Sequence, residues 1–388
     1  MGKNALREDW QKVLPATECS YLLGNPPFVG KKRRTALQVS DMNLVFQGVS
    51  GTGVLDYVAA WYRRGAEYVK GHDTRVAFVA TNSIVQGEQV PALWPDLLDR
   101  GVVIDFAHRT FEWTSEARGS AHVHVVIIGF SDGGKAAKKT LYNYATLKAT
   151  DGVAVQATNI NPYLVDAPTL IVRKRRKALV PGPVCRFGNM PNDNQHLILE
   201  PEKRDELVAA DPAAAKFVRE LIGAEEMVNG LHRYCLWLQD AQPADIRQSP
   251  ELRRRVAAVK VHRLDSDRLA TQAAAATPSL FAEVRQPETR YLCLPRHTSQ
   301  ARDYIPLAFF EPVDIAHDST LTVTDAGMYH FGVLSSSMFM TWVRTISGRL
   351  KSDFRLSAEV VYNTFPWPDP TDAKIKKVEE LAQTVLDA

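Results

Sequence analysis

Cysteine is scarce in this chain. The four present, Cys19, Cys185, Cys235 and Cys293, lie far apart with no paired spacing. This argues against a zinc site or a disulfide framework, and a reducing cytoplasm is the expected compartment. Long apolar runs are missing too. The longest candidate, Val123 to Phe130, is strand-sized and far short of the roughly 18 residues of a spanning helix, so no membrane partner is expected. The polar N-terminus carries no secretory pattern. Nor is there an excess of one charge: 47 Lys and Arg against 44 Asp and Glu leave +3. The total therefore does not announce a nucleic-acid binder, and local clustering has to carry any such signal. What remains is ordinary for a globular protein, 45% hydrophobic and 23% charged over 388 residues, enough for two domains with full cores.

Against that background one stretch stands out. Tyr21-Leu22-Leu23 is a short apolar run, followed by Gly24 and then Asn25-Pro26-Pro27-Phe28. This pattern predicts a strand that ends in a rigid turn at a sheet edge. Two prolines stiffen the backbone and contribute carbonyl acceptors without amide donors. Asn25 adds a side-chain carbonyl and Phe28 a flat apolar face. An exocyclic amine on a nucleobase offers two N–H donors and a π-face, which two acceptors and an aromatic ring complement. The string resembles the catalytic motif of amino-group DNA methyltransferases, Asn/Asp-Pro-Pro-Tyr/Phe, in which the Asn form with Phe usually goes with adenine. A chance match in a chain of this length has a probability of roughly one in several hundred. The alternative is a Pro-Pro turn that merely ends a strand.

The chain around this motif alternates strand and helix. Val54 to Val69 has helical periodicity, with Leu55, Val58, Ala59, Tyr62, Ala66 and Val69 on one face. Val76 to Thr81 reads as a strand ending in the polar cluster Thr81-Asn82-Ser83, Pro91 to Leu98 as a helix, and Val102 to Phe106 as a strand. Ala121 to Phe130 reads as a strand running into the turn Ser131-Asp132-Gly133-Gly134. A mostly parallel α/β sheet closed by an antiparallel hairpin is expected, with ligands beyond the carboxyl ends of its strands. Arg109-Thr110-Phe111-Glu112-Trp113 is assigned to a loop whose aromatics line the cavity or simply pack. His122 and His124 share a strand face, but no third ligand is evident, so no metal site is expected.

Basic clusters punctuate the chain. Lys31-Lys32-Arg33-Arg34 follows the proposed pocket, where a phosphate backbone would pass. Arg173-Lys174-Arg175-Arg176-Lys177 reads equally as a DNA-tracking strip and as a solvated linker. Composition changes from Lys135 onward, and Pro181-Gly182-Pro183 breaks the chain. The expected organisation is a catalytic region over 1–150, a linker over 151–185, a second domain over 186–368 and the start of a helical region over 369–388. In the second domain, helices are expected at Pro212 to Leu221 and Ser249 to Leu269. Strands are expected at Arg290 to Leu294, Tyr304 to Phe310 and Thr320 to Val323. The loop Pro295 to Arg302 carries Arg296, His297, Gln300 and Arg302, side chains of the kind that read base edges and phosphates; a polar surface hairpin is the alternative. An apolar helix region, Tyr329 to Ile346, ends at Gly348. Arg349, Lys351 and Arg355 follow, a spacing suited to gripping phosphates. Thr371 to Ala388 has amphipathic helical spacing.

Taken together, the blocks Asn4 to Arg7, Gly24 to Gly30, Asp56 to Tyr62, Thr81 to Ser83, Arg109 to Phe111 and Ala121 to Phe130 resemble, in their order, the MmeI-like DNA methyltransferases of type IIL/IIG restriction–modification systems. Phe187 to Asn189, Tyr329 to Gly332, Gly348 to Asp353 and Val361 to Pro368 continue the likeness. The resemblance implies an incomplete Rossmann-like class I methyltransferase sheet (the C-terminal half of the catalytic domain) followed by an α+β target-recognition domain. It implies adenine-N6 methylation of double-stranded DNA from S-adenosylmethionine, with Asn25, Pro26, Pro27 and Phe28 catalytic and Asn4 and Asn25 facing the cofactor. Lys31, Lys32, Arg33, Arg34, Arg296, His297, Gln300, Arg302, Arg349, Lys351 and Arg355 would then contact DNA.

The sequence departs from the family pattern by lacking an upstream Gly-rich strand–turn–helix, an acidic residue for the cofactor ribose and a nuclease domain; Asp372-Ala373-Lys374 is too isolated to be a nuclease site. A separate polypeptide supplying those segments is therefore an expected partner. The rival reading is a DNA-recognition module without catalysis. A weaker third option is methylation of RNA or protein, where the same motif occurs.

Overall fold

The structure, a computed structural model, describes residues 3–113, 123–134, 138–350 and 352–388. The chain divides into two units. One holds residues 1–174 with 345–352, the other 175–344 with 353–388.

In the first unit a helical turn, α1 (Trp10–Val13), precedes β1 (Tyr21–Gly24), α2 (Ala36–Val45) and α3 (Ala59–Val69). Then come β2 (Arg75–Thr81), α4 (Gln89–Asp99), β3 (Val102–Trp113), β4 (Val123–Asp132), β5 (Lys139–Asn143) and β6 (Val153–Ala157). The six strands form one sheet in the order β1-β2-β4-β3-β5-β6. β1 runs parallel to β2, and β3 parallel to β5, while β4 is antiparallel to both β2 and β3. The carboxyl ends of β1, β2, β3 and β5 therefore share one edge of the sheet.

Local sequence accounts for much of this. Thr35 and Gln38 close a capping box at the start of α2: Gln38 N–H donates to Thr35 Oγ1 at 3.3 Å, and Thr35 N–H to Gln38 Oε1 at 2.9 Å. The face expected for α3 is buried to the last member, Leu55, Val58, Ala59, Tyr62, Ala66 and Val69. It meets the inward residues Val76, Phe78 and Ala80 of β2. Each of the larger aliphatic and aromatic side chains contributes roughly 1.5–3 kcal/mol by leaving water, and the alanines less. Arg63 is buried among them, donating to the Val45 carbonyl and pairing with Asp96 at 3.2 Å.

Two expectations need correction. Arg109 to Trp113 is not a loop but the second half of β3, because it finds a partner in β4, with Glu112 opposite His124. Residues 151–185 are not all linker, since β6 closes the first sheet. His122 lies outside the described residues, and among the described residues no group of three His, Cys, Asp or Glu could hold a metal. No helix of the described residues is long and apolar enough to cross a membrane.

The second unit contains β7 (Val184–Phe187), β8 (Ile198–Leu199), α5 (Pro201–Ala210), β9 (Val218–Ile222), α6 (Ala224–Asn229) and β10 (Tyr234–Leu236). It continues with α7 (Pro243–Gln248), α8 (Pro250–Leu264), α9 (Leu269–Ala273), β11 (Tyr291–Pro295), β12 (His297–Thr298), β13 (Ala308–Phe310), β14 (Ile315–Ala316) and β15 (Thr320–Thr324). α10 (Met328–Leu334) and α11 (Ser337–Ile346) follow. β16 (Gly348–Leu350) falls in the first unit, and β17 (Asp353–Arg355) and α12 (Asp372–Asp387) complete the second. A sheet ordered β13-β11-β15-β7 packs Leu292, Leu294, Leu321 and Val323 against Phe331, Phe339 and Val343. A second sheet, β14-β9-β10-β8, shares a core with α5 and α8.

Here too the structure revises the sequence reading. Pro212 to Leu221 is a 3-10 turn and then a strand, because β9 is claimed by β10 and β14. The apolar stretch from Tyr329 to Ile346 is two helices, broken where the Ser336 hydroxyl accepts the Phe339 N–H at 3.2 Å. Residues 369–388 supply α12, which packs Val378 and Ala382 into the same core. Among the described residues, fully buried Arg263 has no acidic partner within hydrogen-bonding distance. It donates instead to five carbonyls, those of Pro191, Asn192, Ala274, Thr277 and Leu280.

Candidate functional site

In the first unit the carboxyl edge of the sheet carries the proposed catalytic turn. Gly24 ends β1 opposite Phe78 of β2, and a Cβ there would lie 3.2 Å from the Phe78 ring. A larger residue would require the Phe78 ring to give by a few tenths of an ångström. Immediately beyond, Asn25 and Pro27 are exposed, Pro26 is buried, and Phe28 is half-buried against the main core. The Asn25 carboxamide takes no hydrogen bond among the described residues. A surface turn with a buried proline anchor and an unpartnered amide is thus held at the end of a parallel strand pair. Lys31, Lys32 and Arg33 follow in an exposed 3-10 turn, while Arg34 is half-buried and donates to the Gly53 carbonyl at 3.3 Å.

Around this turn lie residues that the sequence did not single out. Asp41 of α2 is 1% exposed. Its carboxylate accepts the Tyr57 hydroxyl at 2.6 Å, Arg7 Nε at 2.7 Å and Asn4 Nδ2 at 3.0 Å. Burial pushes its pKa up, but these hydrogen bonds outweigh burial and hold it below the usual carboxylate range. Burial and the Asp41 charge together push the Tyr57 hydroxyl well above its ordinary value. Asn4 lies in a turn and not at the end of a strand. One of its amide hydrogens goes to Asp41, and its carbonyl accepts the Leu6 N–H at 3.0 Å.

Asp56, just before α3, turns its carboxylate to the end of β2. Its Oδ2 accepts Thr81 Oγ1 at 2.8 Å and Ser83 Oγ at 2.5 Å, and the two hydroxyls are 2.7 Å apart. The polar cluster after β2 was legible in the sequence; its carboxylate partner, 25 residues upstream, was not.

In the second unit the residues expected to meet DNA are placed as follows. His297 and Arg355 lie opposite each other where β12 pairs antiparallel with β17. Burial, with Arg296 and Arg355 nearby, holds the His297 imidazole below its ordinary value. Gln300, Arg302 and Arg355 are exposed. Arg296 is half-buried, donating to the Asp318 carbonyl at 2.7 Å with its guanidinium 4.6 Å from the centre of the Phe187 ring. Arg349 belongs to the first unit and donates to Ser347 Oγ at 2.6 Å. Lys351 lies outside the described residues. The side chains of the basic run Arg173 to Lys177 are exposed. Its backbone within the second unit is tied down, Arg175 N–H to the Glu359 carbonyl at 2.9 Å and Asn363 Nδ2 to the Arg175 carbonyl at 2.9 Å.

Comparison with known proteins gives this arrangement a class. The MmeI DNA-methyltransferase domain family matches residues 1–143, and the MmeI target recognition domain family matches residues 166–369. A methyltransferase domain thus precedes a target-recognition domain. The first match starts at residue 1, so the region expected to be only the back half of a methyltransferase domain is recognised as that domain along its length.

DNA methyltransferase A of Bacillus subtilis (strain 168) is 36% identical over 386 residues, covering 99% of this chain and 43% of its own length. The type IIL restriction–modification enzyme MmeI, solved in complex with DNA, superposes with a TM-score of 0.93 at 41% identity, over 100% of this chain and 52% of that one. The chain belongs to the MmeI family, and it spans about half the length of these two relatives.

Proposed function

We propose that this chain is the catalytic-turn and target-recognition portion of a site-specific DNA adenine-N6 methyltransferase of a restriction–modification system. The observation that carries the reading is the exposed, unpartnered Asn25 on a rigid diproline turn at the carboxyl end of β1. A duplex adenine flips out, at a cost of about a few kcal/mol, and stacks on Phe28, a contact worth roughly 1–3 kcal/mol. The Asn25 side-chain carbonyl and the Pro26 carbonyl accept the two amine hydrogens, drawing the nitrogen lone pair out of ring conjugation and aiming it at the methyl donor. S-adenosylmethionine supplies a methyl group already activated on a sulfonium, so the protein's contribution is orientation. Asn25 and the amide hydrogen of Asn4 not taken by Asp41 are the donors this chain offers to that cofactor.

Duplex DNA is the proposed partner, in keeping with the likeness to MmeI, which was solved with DNA. Lys31, Lys32, Arg33, Arg34, Arg349, Lys351 and Arg355 are assigned to phosphates. Gln300 and Arg302, with His297 and the remaining N–H groups of Arg296, are assigned to base edges.

The cofactor site needs a further wall. β1 is an edge strand with Tyr21 65% and Leu23 72% exposed, an open apolar edge of the kind proteins normally cover. We assign that edge to the cofactor-binding segment with a Gly-rich strand–turn–helix, which these 388 residues do not contain. The same two features favour a second reading, a recognition module without catalysis, and calorimetry with S-adenosylmethionine separates the two. The main test is N6-methyladenine, measured by mass spectrometry in the DNA of a methylation-free host that expresses this chain together with a cofactor-binding segment. The mark is expected with wild type and absent with Asn25→Ala, and methylated cytosine in its place would refute the reading.

A further inference from the structure

The diproline turn cannot tether itself. Pro26 and Pro27 have no N–H, so beyond the packing of Pro26 and Phe28 the diproline itself can be tied by backbone hydrogen bonds only through carbonyls. Among the described residues, the one backbone hydrogen bond that ties residues 26–29 to another element runs from Tyr57 N–H to the Val29 carbonyl, at 3.0 Å. The Asp56–Tyr57 pair that supplies this donor is itself fixed from three directions. Asp56 N–H donates to Gln89 Oε1 of α4 at 3.0 Å. Asp56 Oδ2 collects the Thr81 and Ser83 hydroxyls from the end of β2. The Tyr57 hydroxyl is locked onto Asp41 of α2. The other Asp56 oxygen takes no hydrogen bond among the described residues and lies toward the loop, 3.8 Å from where a Cβ on Gly30 would stand.

We infer that Asp56 is a positioning residue for the Asn25 turn, acting through the Tyr57 amide, and that Thr81 and Ser83 set its geometry from the end of β2. The inference rests on the catalytic reading of Asn25 given above. A carboxylate held by two hydroxyls is a stiff anchor, because charge-assisted hydrogen bonds are shorter and stronger than neutral ones. Misplacing a reacting group by a fraction of an ångström is costly when orientation supplies the acceleration.

The test uses the whole chain. Asp56→Ala and the pair Thr81→Val with Ser83→Ala are compared with wild type by hydrogen exchange and brief trypsin digestion. The Tyr57 amide is expected to exchange about tenfold faster, and trypsin to cut faster after Lys31, Lys32 and Arg33, while the Phe78 amide in β2 keeps its protection. Combining the two sets adds little to either, because both cut the same tether. With the cofactor-binding segment present, kcat falls about tenfold while KM for DNA is retained. Uniform loosening that includes Phe78, or no change at Tyr57, overturns the inference. So does a loosened loop with unaltered kcat, an outcome that leaves the catalytic reading standing. Failure of that reading shows up separately, as methyl transfer surviving Asn25→Ala.

Discussion

Replacing Asp41 with alanine should unfold the first unit preferentially, and the size of the effect follows from what the carboxylate holds. Its 1% exposure means that its partners lose their acceptor without water entering freely. The 2.6 Å bond from the buried Tyr57 hydroxyl is charge-assisted and worth about 1.5–3 kcal/mol, and leaving that hydroxyl unsatisfied adds a desolvation cost of similar size. The Arg7 pair is short, but Arg7 is 41% exposed, so solvent screening reduces its share to well under about 1 kcal/mol. Because one loss partly includes the other, Asp41→Ala is expected to cost about 3 kcal/mol in total.

Urea unfolding read by hydrogen-exchange mass spectrometry, which reports each unit separately, measures the loss. The pH profile provides a second check. The folded pKa of Asp41 lies below its unfolded value, so its contribution is fully present above about pH 4 and is lost as pH falls through the folded pKa. The variant should lack that acid-side component. A loss under about 1 kcal/mol, or an unchanged acid limb, would show that Asp41 does not hold the Asn4, Arg7 and Tyr57 segments together.

Further outcomes follow from the same structure. Arg263→Met should destabilise the second unit by about 2–4 kcal/mol in urea, because five carbonyls, most of them part-buried, lose their donor, and Arg263→Lys should not restore it, since an ammonium cannot span the fork. Gly188→Ala places a Cβ 2.2 Å from the backbone oxygen of His317; thermal melting should drop by several degrees, as overpacking against main chain typically costs about 1–3 kcal/mol. Changing Lys31, Lys32 and Arg33 together to glutamine should reduce the slope of log affinity for DNA against log salt by about one per charge lost, and an unchanged slope removes them from the interface. Burial is the first cause that holds His297, His317 and His330 below the usual imidazole range. The unfolded chain therefore takes up protons near pH 6.5 while the folded unit stays neutral, and stability of the second unit should fall as pH drops through that value; urea midpoints between pH 8 and pH 5 check the sign.

Features with a local cause were readable from residue order. The apolar face of α3 followed from spacing alone, as did β2 and its polar terminus. The Asn25 turn is written into the covalent chemistry of two prolines. The antiparallel β3–β4 pair was anticipated because no helical pattern separates the two strands. Where the reading failed, a distant partner had overruled local preference. Pro212 to Leu221 has helical spacing, yet β10 and β14 recruit its second half as β9. Arg109 to Trp113 was assigned to a loop because pairing with β4 leaves no mark on its own composition.

The tethering system behind the turn was invisible for the same reason. Asp56 and Tyr57 open one of the blocks that carry the resemblance and Asp41 stands in none, yet nothing nearby says that one carboxylate will meet Asn4 across 37 positions or that another will meet Thr81 across 25. Backbone stiffness and periodicity are properties of neighbours along the chain, so residue order alone carries the diproline turn and the helix faces. Hydrogen-bond partnership and burial are properties of neighbours in space. The chain had to fold before it was settled which hydroxyls Asp56 meets, that Arg296 spends part of its fork on Asp318, and that Tyr21 and Leu23 of β1 stand exposed.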